Sequence, residues 1–279
     1  MKLICIPAVR SHVKYVEFSL QLLSKSFPDN DVLIVTPHPN SFNHLNKRNI
    51  VVKNDTEFLD LSLDEFRKEL TNDKKYMFKW YYQQFLKYSI ISKSKEYSDI
   101  LILDADTIIL SDCVKDINSI NLTKLEYNKS YFELIKNRFP GQKLLSKSAI
   151  VNFMWFNSIL FAEMLDFIVS DSKRNWFDIL LEDINKSTPL IAFSEYETYA
   201  NYKNNNKKSE LKVLKIFRRA DLFMDFYSFE KIIKIAKIYK FDLISFEDNH
   251  KKSLFKKIII ILMVISINLK LFLTDKQKF

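Results

Sequence analysis

Asp99-Ile100-Leu101-Ile102-Leu103-Asp104-Ala105-Asp106-Thr107 is the stretch on which the fold turns. Branched apolar residues run without interruption between acids, the pattern of a strand buried on both faces. The run stops at two carboxylates, Asp104 and Asp106, two positions apart. In an extended segment, side chains at i and i+2 point the same way. The space just past the carboxyl end of a buried strand is where open α/β sheets take their ligands. Two carboxylates there suit a hard divalent cation that also carries phosphate oxygens of a substrate. The same spacing equally fits a plain turn in which one acid caps the chain, because D-x-D is short and common.

Working outward, the flanks have a strand–helix–strand rhythm. Leu3–Ile6, Val32–Val35 and Ile50–Val52 read as strands, and Val13–Phe27 carries an apolar stripe at 16, 20, 23 and 27. Leu63–Leu70 reads as a short helix and Tyr76–Lys93 as a long one, aromatic at its start and apolar over much of its circumference. This order predicts βαβ units and a largely parallel sheet. Beyond the acidic pair, 112–147 shows no clear period and holds Pro140-Gly141. Ala149–Phe156 reads as a strand, Ile159–Val169 and Trp176–Ile184 as helices, and Val213–Phe217 and Leu243–Phe246 as late strands. Ser194-Glu195-Tyr196-Glu197 matches a capping box, with Ser194 as N-cap and Glu195 in the first turn, at the positive end of the helix dipole. Phe229–Tyr239 is amphipathic, and Lys231, Lys234, Lys237 and Lys240 give it a basic face that reads as solvated surface.

Composition excludes several classes. The single glycine, Gly141, rules out Walker-type and G-x-G-x-x-G phosphate loops, each of which needs several glycines. A nucleotide would therefore have to be held by a metal and side chains. Of the net charge of +9, +6 lies in 251–279, so the body is too weakly basic for a nucleic-acid binder, and no nucleic-acid partner is expected. Cys5 and Cys113 supply neither a disulfide framework nor metal spacing, which fits a reducing cytosol. Leu3–Val9 is too short, and too closely followed by Arg10, His12 and Lys14, to read as a signal peptide. The simplest partition is one domain over 1–250 and a tail over 251–279. The uncharged apolar run 258–269 is shorter than the roughly 17–25 residues needed to span a bilayer. With lysines on both sides, it suits a helix lying in an anionic membrane surface or, alternatively, a final helix packed on the body.

Three segments then carry a resemblance. Trp80-Tyr81-Tyr82-Gln83-Gln84-Phe85-Leu86-Lys87, Ile102-Leu103-Asp104-Ala105-Asp106-Thr107 and Phe193-Ser194-Glu195-Tyr196-Glu197-Thr198-Tyr199-Ala200-Asn201-Tyr202 resemble, in order and spacing, a bacterial group of GT-A-fold glycosyltransferases. That group has a W-Y-x-Q-Q helix, a D-A-D-T strand end and a late F-S-E-Y-E-x-Y-x-N-Y segment. The resemblance covers about 1–250, without 112–147 and without the tail.

The resemblance implies a Rossmann-type, mainly parallel sheet flanked by helices, a nucleotide-diphosphate sugar donor, and Mn²⁺ or Mg²⁺ held by Asp104 and Asp106. Asp106 is then the direct ligand, with Asp104 facing the ribose or a metal-bound water, and His250 placed to complete the metal site; a plain surface histidine stays open beside that role for His250. An inverting transferase also needs a carboxylate base for the acceptor hydroxyl, for which Glu195 is the candidate. Glu195 as a purely electrostatic acid in the first turn stays open beside it. Lys79, Gln83 and Gln84 are candidates to approach the donor, with Asn152 and Asn157 for sugar hydroxyls; alternatively the two glutamine amides bond backbone. The expected acceptor is a bacterial surface glycan, as in capsule or lipopolysaccharide, or a lipid-linked one. The expected location is cytoplasmic and peripheral, at the inner face of the plasma membrane. A metal-dependent nucleotidyl- or phosphotransferase and a non-catalytic GT-A scaffold in polysaccharide assembly are the alternatives.

Overall fold

A computed structural model of the chain describes residues 1–124, 127–169, 173–188 and 191–247. His250 and the whole tail 251–279, with its expected helix, lie outside the described residues. In chain order the elements are β1 (Lys2–Pro7), α1 (Val13–Ser26), β2 (Asp31–Thr36), β3 (Ile50–Asn54), α2 (Leu63–Glu69), α3 (Phe78–Lys93), β4 (Asp99–Leu103) and β5 (Thr107–Ile109). They continue as β6 (Ile120–Leu122), α4 (Lys129–Arg138), β7 (Phe153–Asn157), α5 (Ser158–Val169), α6 (Trp176–Lys186), α7 (Glu195–Asn206), β8 (Leu211–Val213), β9 (Ile216–Phe217), α8 (Phe229–Ile238) and β10 (Leu243–Ser245). The described residues form two compact units: Met1–Ala105 with Lys115–Val213, and Asp106–Val114 with the described residues from Leu214 on.

The first unit is a mixed α/β body with a five-stranded sheet in the order β3-β2-β1-β4-β7. β1 pairs in parallel with β2 and β4, and β2 with β3. β7 runs antiparallel to β4, with Leu103 opposite Phe153. The chain therefore winds one way from β1 to β3 and the other way to β4. The carboxyl ends of β1 and β4 meet at a topological switch point. The central strands are buried on both faces. Leu3, Cys5, Leu33, Val35, Ile100 and Ile102 join a core that includes α3 and α7, while Ile4, Ile6, Ile34 and Leu101 are buried on the opposite side.

α3 holds that core together. Tyr88 meets Phe161 edge-on at 4.9 Å and Phe193 at 5.6 Å, and Phe85 meets Phe177 at 4.7 Å. Such pairs add about 0.5–1.5 kcal/mol each beyond the area they bury. Within 112–147, where no period was legible, the chain forms β6 and α4, whose Tyr131, Phe132 and Ile135 are buried. β6 pairs in parallel with β8.

The second unit has a three-stranded sheet in which β10 lies between β5, antiparallel, and β9, parallel. The expected single strand over Val213–Phe217 is thus two strands, one in each unit. The Asp242 carboxylate accepts the Lys215 amide at 2.8 Å and its carbonyl accepts the Leu110 amide at 2.8 Å, tying the sheet's edges. α8 covers the sheet through Ile232, Ile233, Ile235 and Ala236, all buried. Among the described residues no helix is long and apolar enough to cross a membrane.

Candidate active site

α3 is apolar around most of its girth, so its few polar tips must find partners inside the fold. Gln84, Lys87 and Tyr88, at i, i+3 and i+4, all turn toward the start of α7. Gln84 Oε1 accepts the Glu195 amide at 3.0 Å, and Tyr88 Oη donates to the Glu195 carbonyl at 3.0 Å. One turn earlier on α3, the Ala192 amide donates to Tyr81 Oη at 3.0 Å. The Glu195 amide is one of the N–H groups that helix geometry leaves orphaned, and the other two bonds fasten the backbone around the α7 N-terminus to α3.

Lys87 makes the central contact. Its Nζ lies 2.6 Å from Asp104 Oδ1 and 2.6 Å from Glu195 Oε1. It also lies 4.4 Å above the Tyr196 ring, a cation–π contact, and Tyr196 Oη donates to Asp104 Oδ1 at 2.9 Å. Lys87 and Glu195 are only 2% and 1% exposed; Asp104 is 18% exposed, so the cluster reaches solvent at Asp104. One ammonium thus serves two carboxylates from chain segments more than ninety residues apart. Burial alone would lower the Lys87 pKa, but Asp104 and Glu195 outweigh it and hold it above the ordinary lysine value. Burial raises Glu195; Lys87 opposes that shift and Asp104 adds to it.

Asp104 is the first residue past β4, and its amide donates to the Asn152 carbonyl at 2.9 Å. Asn152 is buried with φ +65°, a left-handed conformation that asparagine tolerates better than most residues. Ala105 and Asp106 form a turn before β5, so the extended-chain rule that would point Asp104 and Asp106 the same way does not apply to them. Asp104 belongs to the first unit and Asp106 begins the second. Within its own unit Asp106 accepts the Phe246 amide on its carbonyl at 2.9 Å and Thr107 Oγ1 on its carboxylate at 3.4 Å.

The other expected residues separate. Lys79, Gln83 and Lys87 form one i, i+4, i+8 row on α3 along which burial deepens: Lys79 is exposed, Gln83 half-buried, Lys87 buried. Gln84 bonds backbone rather than facing open space. Asn157 caps α5, its Oδ1 accepting the Leu160 amide, and its Nδ2 bonds Ser98 and Asp99. Ser194 does cap α7, accepting the Glu197 amide at 3.4 Å. The Glu197 carboxylate goes to Ser148 Oγ at 2.5 Å and the Ala149 amide at 3.1 Å, pinning the segment before β7. Lys87 and Tyr196 had no assigned role in the sequence; the signal for Lys87 was a cation at a core position of an aromatic helix.

No group of three or more His, Cys, Asp and Glu poised to hold a metal ion occurs among the described residues. Asp104, just past β4 and partly exposed, is an oxygen donor of the kind that a divalent ion takes from a protein when it completes its shell with substrate phosphates.

No protein-family model matches the chain, and no curated protein matches it. Solved structures do. Galactosyltransferase LgtC with donor and acceptor sugar analogues aligns over 90% of this chain and 88% of its own, at 11% identity and TM-score 0.39. An active-site mutant of LgtC aligns over 90% and 89%, at 12% identity and TM-score 0.43. The bifunctional glycosyltransferase WbbM, without ligand, aligns over 89% of this chain at 10% identity and TM-score 0.41, and this chain spans only 46% of it.

Proposed function

We propose that this chain is a metal-dependent glycosyltransferase of GT-A type, moving a sugar from a nucleotide-diphosphate sugar to a bacterial surface glycan or a lipid-linked acceptor. The observation that carries this reading is the convergence on Lys87. The aromatic helix, the D-A-D-T strand end and the S-E-Y-E helix, the three segments of the resemblance, each contribute a side chain to one buried cluster, through Lys87, Asp104, and Glu195 with Tyr196. That cluster borders the end of β4, at the switch point where open sheets bind ligands.

In this reading Asp104 and Asp106 hold Mn²⁺ or Mg²⁺ together with the donor diphosphate. When bound, the ion stabilises the negative charge that builds on the diphosphate leaving group. Lys87 and Tyr196 fix Asp104 through one oxygen and so orient its carboxylate before any ligand arrives. Glu195, at 1% exposure and engaged by Lys87, serves as a positioning residue that holds the ammonium against Asp104. Lys79 and Gln83 stand at the more exposed end of the same helix row, where a donor could be met, and Asn152 supports Asp104 through its carbonyl. His250 is proposed as a further ligand on the resemblance alone. The enzyme would act in the cytoplasm, at the inner face of the plasma membrane.

The test is calorimetric titration of the purified chain with nucleoside diphosphates, with and without Mn²⁺, together with release of free sugar from a panel of nucleotide sugars. Metal-dependent binding that Asp106→Ala abolishes, with slow sugar release, is expected. Binding that ignores the metal, or transfer of the nucleotidyl or phosphoryl group instead of the sugar, overturns the reading. Glu195→Gln separates its two roles: a positioning residue lowers the rate and keeps the shape of the pH–rate profile, whereas loss of a base removes its acidic limb.

A further inference from the structure

α8 buries Ile232, Ile233, Ile235 and Ala236 against its own unit and turns the rest of its circumference outward. The outward side is of nearly one sign. Lys231, Lys234 and Lys237 follow one another at i, i+3 and i+6, and Lys240 follows in the turn beyond the helix; all four are exposed. Among the described residues, none of Lys234, Lys237 and Lys240 forms an ion pair. Lys231 leans over the Tyr227 ring at 4.5 Å. Glu230, in the first turn, is the one acid within the helix. Two large apolar side chains flank the row in the open, Phe226 at 44% exposure and Ile238 at 38%. A solvated helix face commonly mixes both signs, through paired acids and bases at i and i+4; this one has acquired four lysines and almost no counter-charge.

The sequence that follows makes the occupant specific. Soon after β10 the chain enters Lys251, Lys252, Lys256 and Lys257, then the uncharged apolar run 258–269, then Lys270. A single weak anchor holds a protein at a bilayer only marginally, and stable attachment takes two signals. We propose that the exposed lysine row of α8 is a docking face for an anionic lipid bilayer, acting as the second signal beside the tail. The lysines meet the headgroups while Phe226 and Ile238 enter the interface. The apolar sequence just downstream favours a bilayer over nucleic acid, as does a row made of lysine without the arginine forks or stacked aromatic platform that would grip bases. This inference is independent of the transferase reading and goes beyond it.

The experiment is sedimentation of the full chain with phosphatidylcholine vesicles, with and without phosphatidylglycerol. Wild type is compared with Lys231→Glu/Lys234→Glu/Lys237→Glu, with the corresponding triple glutamine variant, and with a deletion of 251–279. Because these lysines are exposed, both triple variants should unfold with the wild-type midpoint; if the glutamate variant does not, the glutamine variant decides. The expected result is a loss of about tenfold or more in partition to anionic vesicles, reduced by high salt and unchanged on neutral vesicles. A partition within about twofold of wild type, equal binding to both vesicle types, or no wild-type binding to anionic vesicles would each overturn it.

Discussion

Lys87 and Lys203 are both buried lysines of the first unit, and each ties its helix to a segment far away in sequence. Lys87, on α3, reaches two carboxylates, Asp104 and Glu195. Lys203, on α7, reaches two backbone carbonyls, those of Ile117 at 2.9 Å and Ser119 at 3.2 Å. Burial penalises both ammonium groups in the same direction. At Lys87 the opposed charges more than offset the penalty, and its pKa rises. At Lys203 the carbonyl dipoles do not: its pKa falls to about 8, with burial the largest cause and Lys207 the next, while Asp116 and Asp99 oppose the fall only in part. The number of hydrogen bonds at a buried cation therefore says little about its charge; what matters is whether the acceptors are ionised. Lys87 is a fixed charge beside the candidate ligand end of β4, and Lys203 is a clamp on the loop before β6.

The largest test of this contrast is Lys87→Met. Removing the cation strands Glu195, and in part Asp104, as uncompensated buried charge, at a cost of about 3–5 kcal/mol in urea unfolding. Adding Glu195→Gln to that variant should recover at least half of the loss, because the stranded charge goes with it. A cost below about 1 kcal/mol would show that the two ion pairs contribute little and that the fold is set by packing alone.

Lys203 should act through pH. Its folded pKa of about 8 lies below the unfolded value of roughly 10.4. Between these two values the unfolded chain binds more protons than the folded one, so stability rises with pH across that window. Wild type should gain about 1–2 kcal/mol between pH 7.5 and 9.5 relative to Lys203→Met, read from urea midpoints at both pH values. Parallel midpoints for the two proteins would mean that Lys203 is not depressed and that the contrast with Lys87 is empty.

The smallest effect belongs to Tyr196→Phe, which keeps the ring under the Lys87 ammonium and deletes only the hydroxyl that donates to Asp104. About 1 kcal/mol of stability should be lost. If Asp104 needs that bond to be oriented, metal-dependent nucleotide binding weakens as well; a loss of stability with binding intact would confine Tyr196 to a structural role.

Much of the first unit was readable along the chain. Ile100–Leu103 announced a strand buried on both faces because no polar residue interrupts it, and the two acids after it marked where that strand stops. Ser194 announced the start of α7, since a hydroxyl ahead of a helix has a local partner three residues on. Other features left no such trace. β7 reads the same whether it runs parallel or antiparallel, because side-chain alternation is identical in both. α4 carries its stripe at 131, 132 and 135 among lysines, an asparagine and one glutamate over barely three turns, too short a span for the period to stand out. Glu197 looked like half of a capping box, yet Ser148 and Ala149, 49 and 48 residues away, take its carboxylate.

The sequence by itself determined the α/β class, the exclusion of glycine-rich phosphate loops, and the acidic end of β4. All of these depend on local pattern, on what one or two turns of helix or a few residues of strand must bury. Only the tertiary structure decided that Lys87 joins Asp104 and Glu195. An ammonium on a flexible stem obeys no spacing rule, and its partners are chosen by strand order and by how α3 and α7 pack, which no local stretch encodes. That long-range choice turns an acidic strand end into an oriented carboxylate held by a buried positive charge.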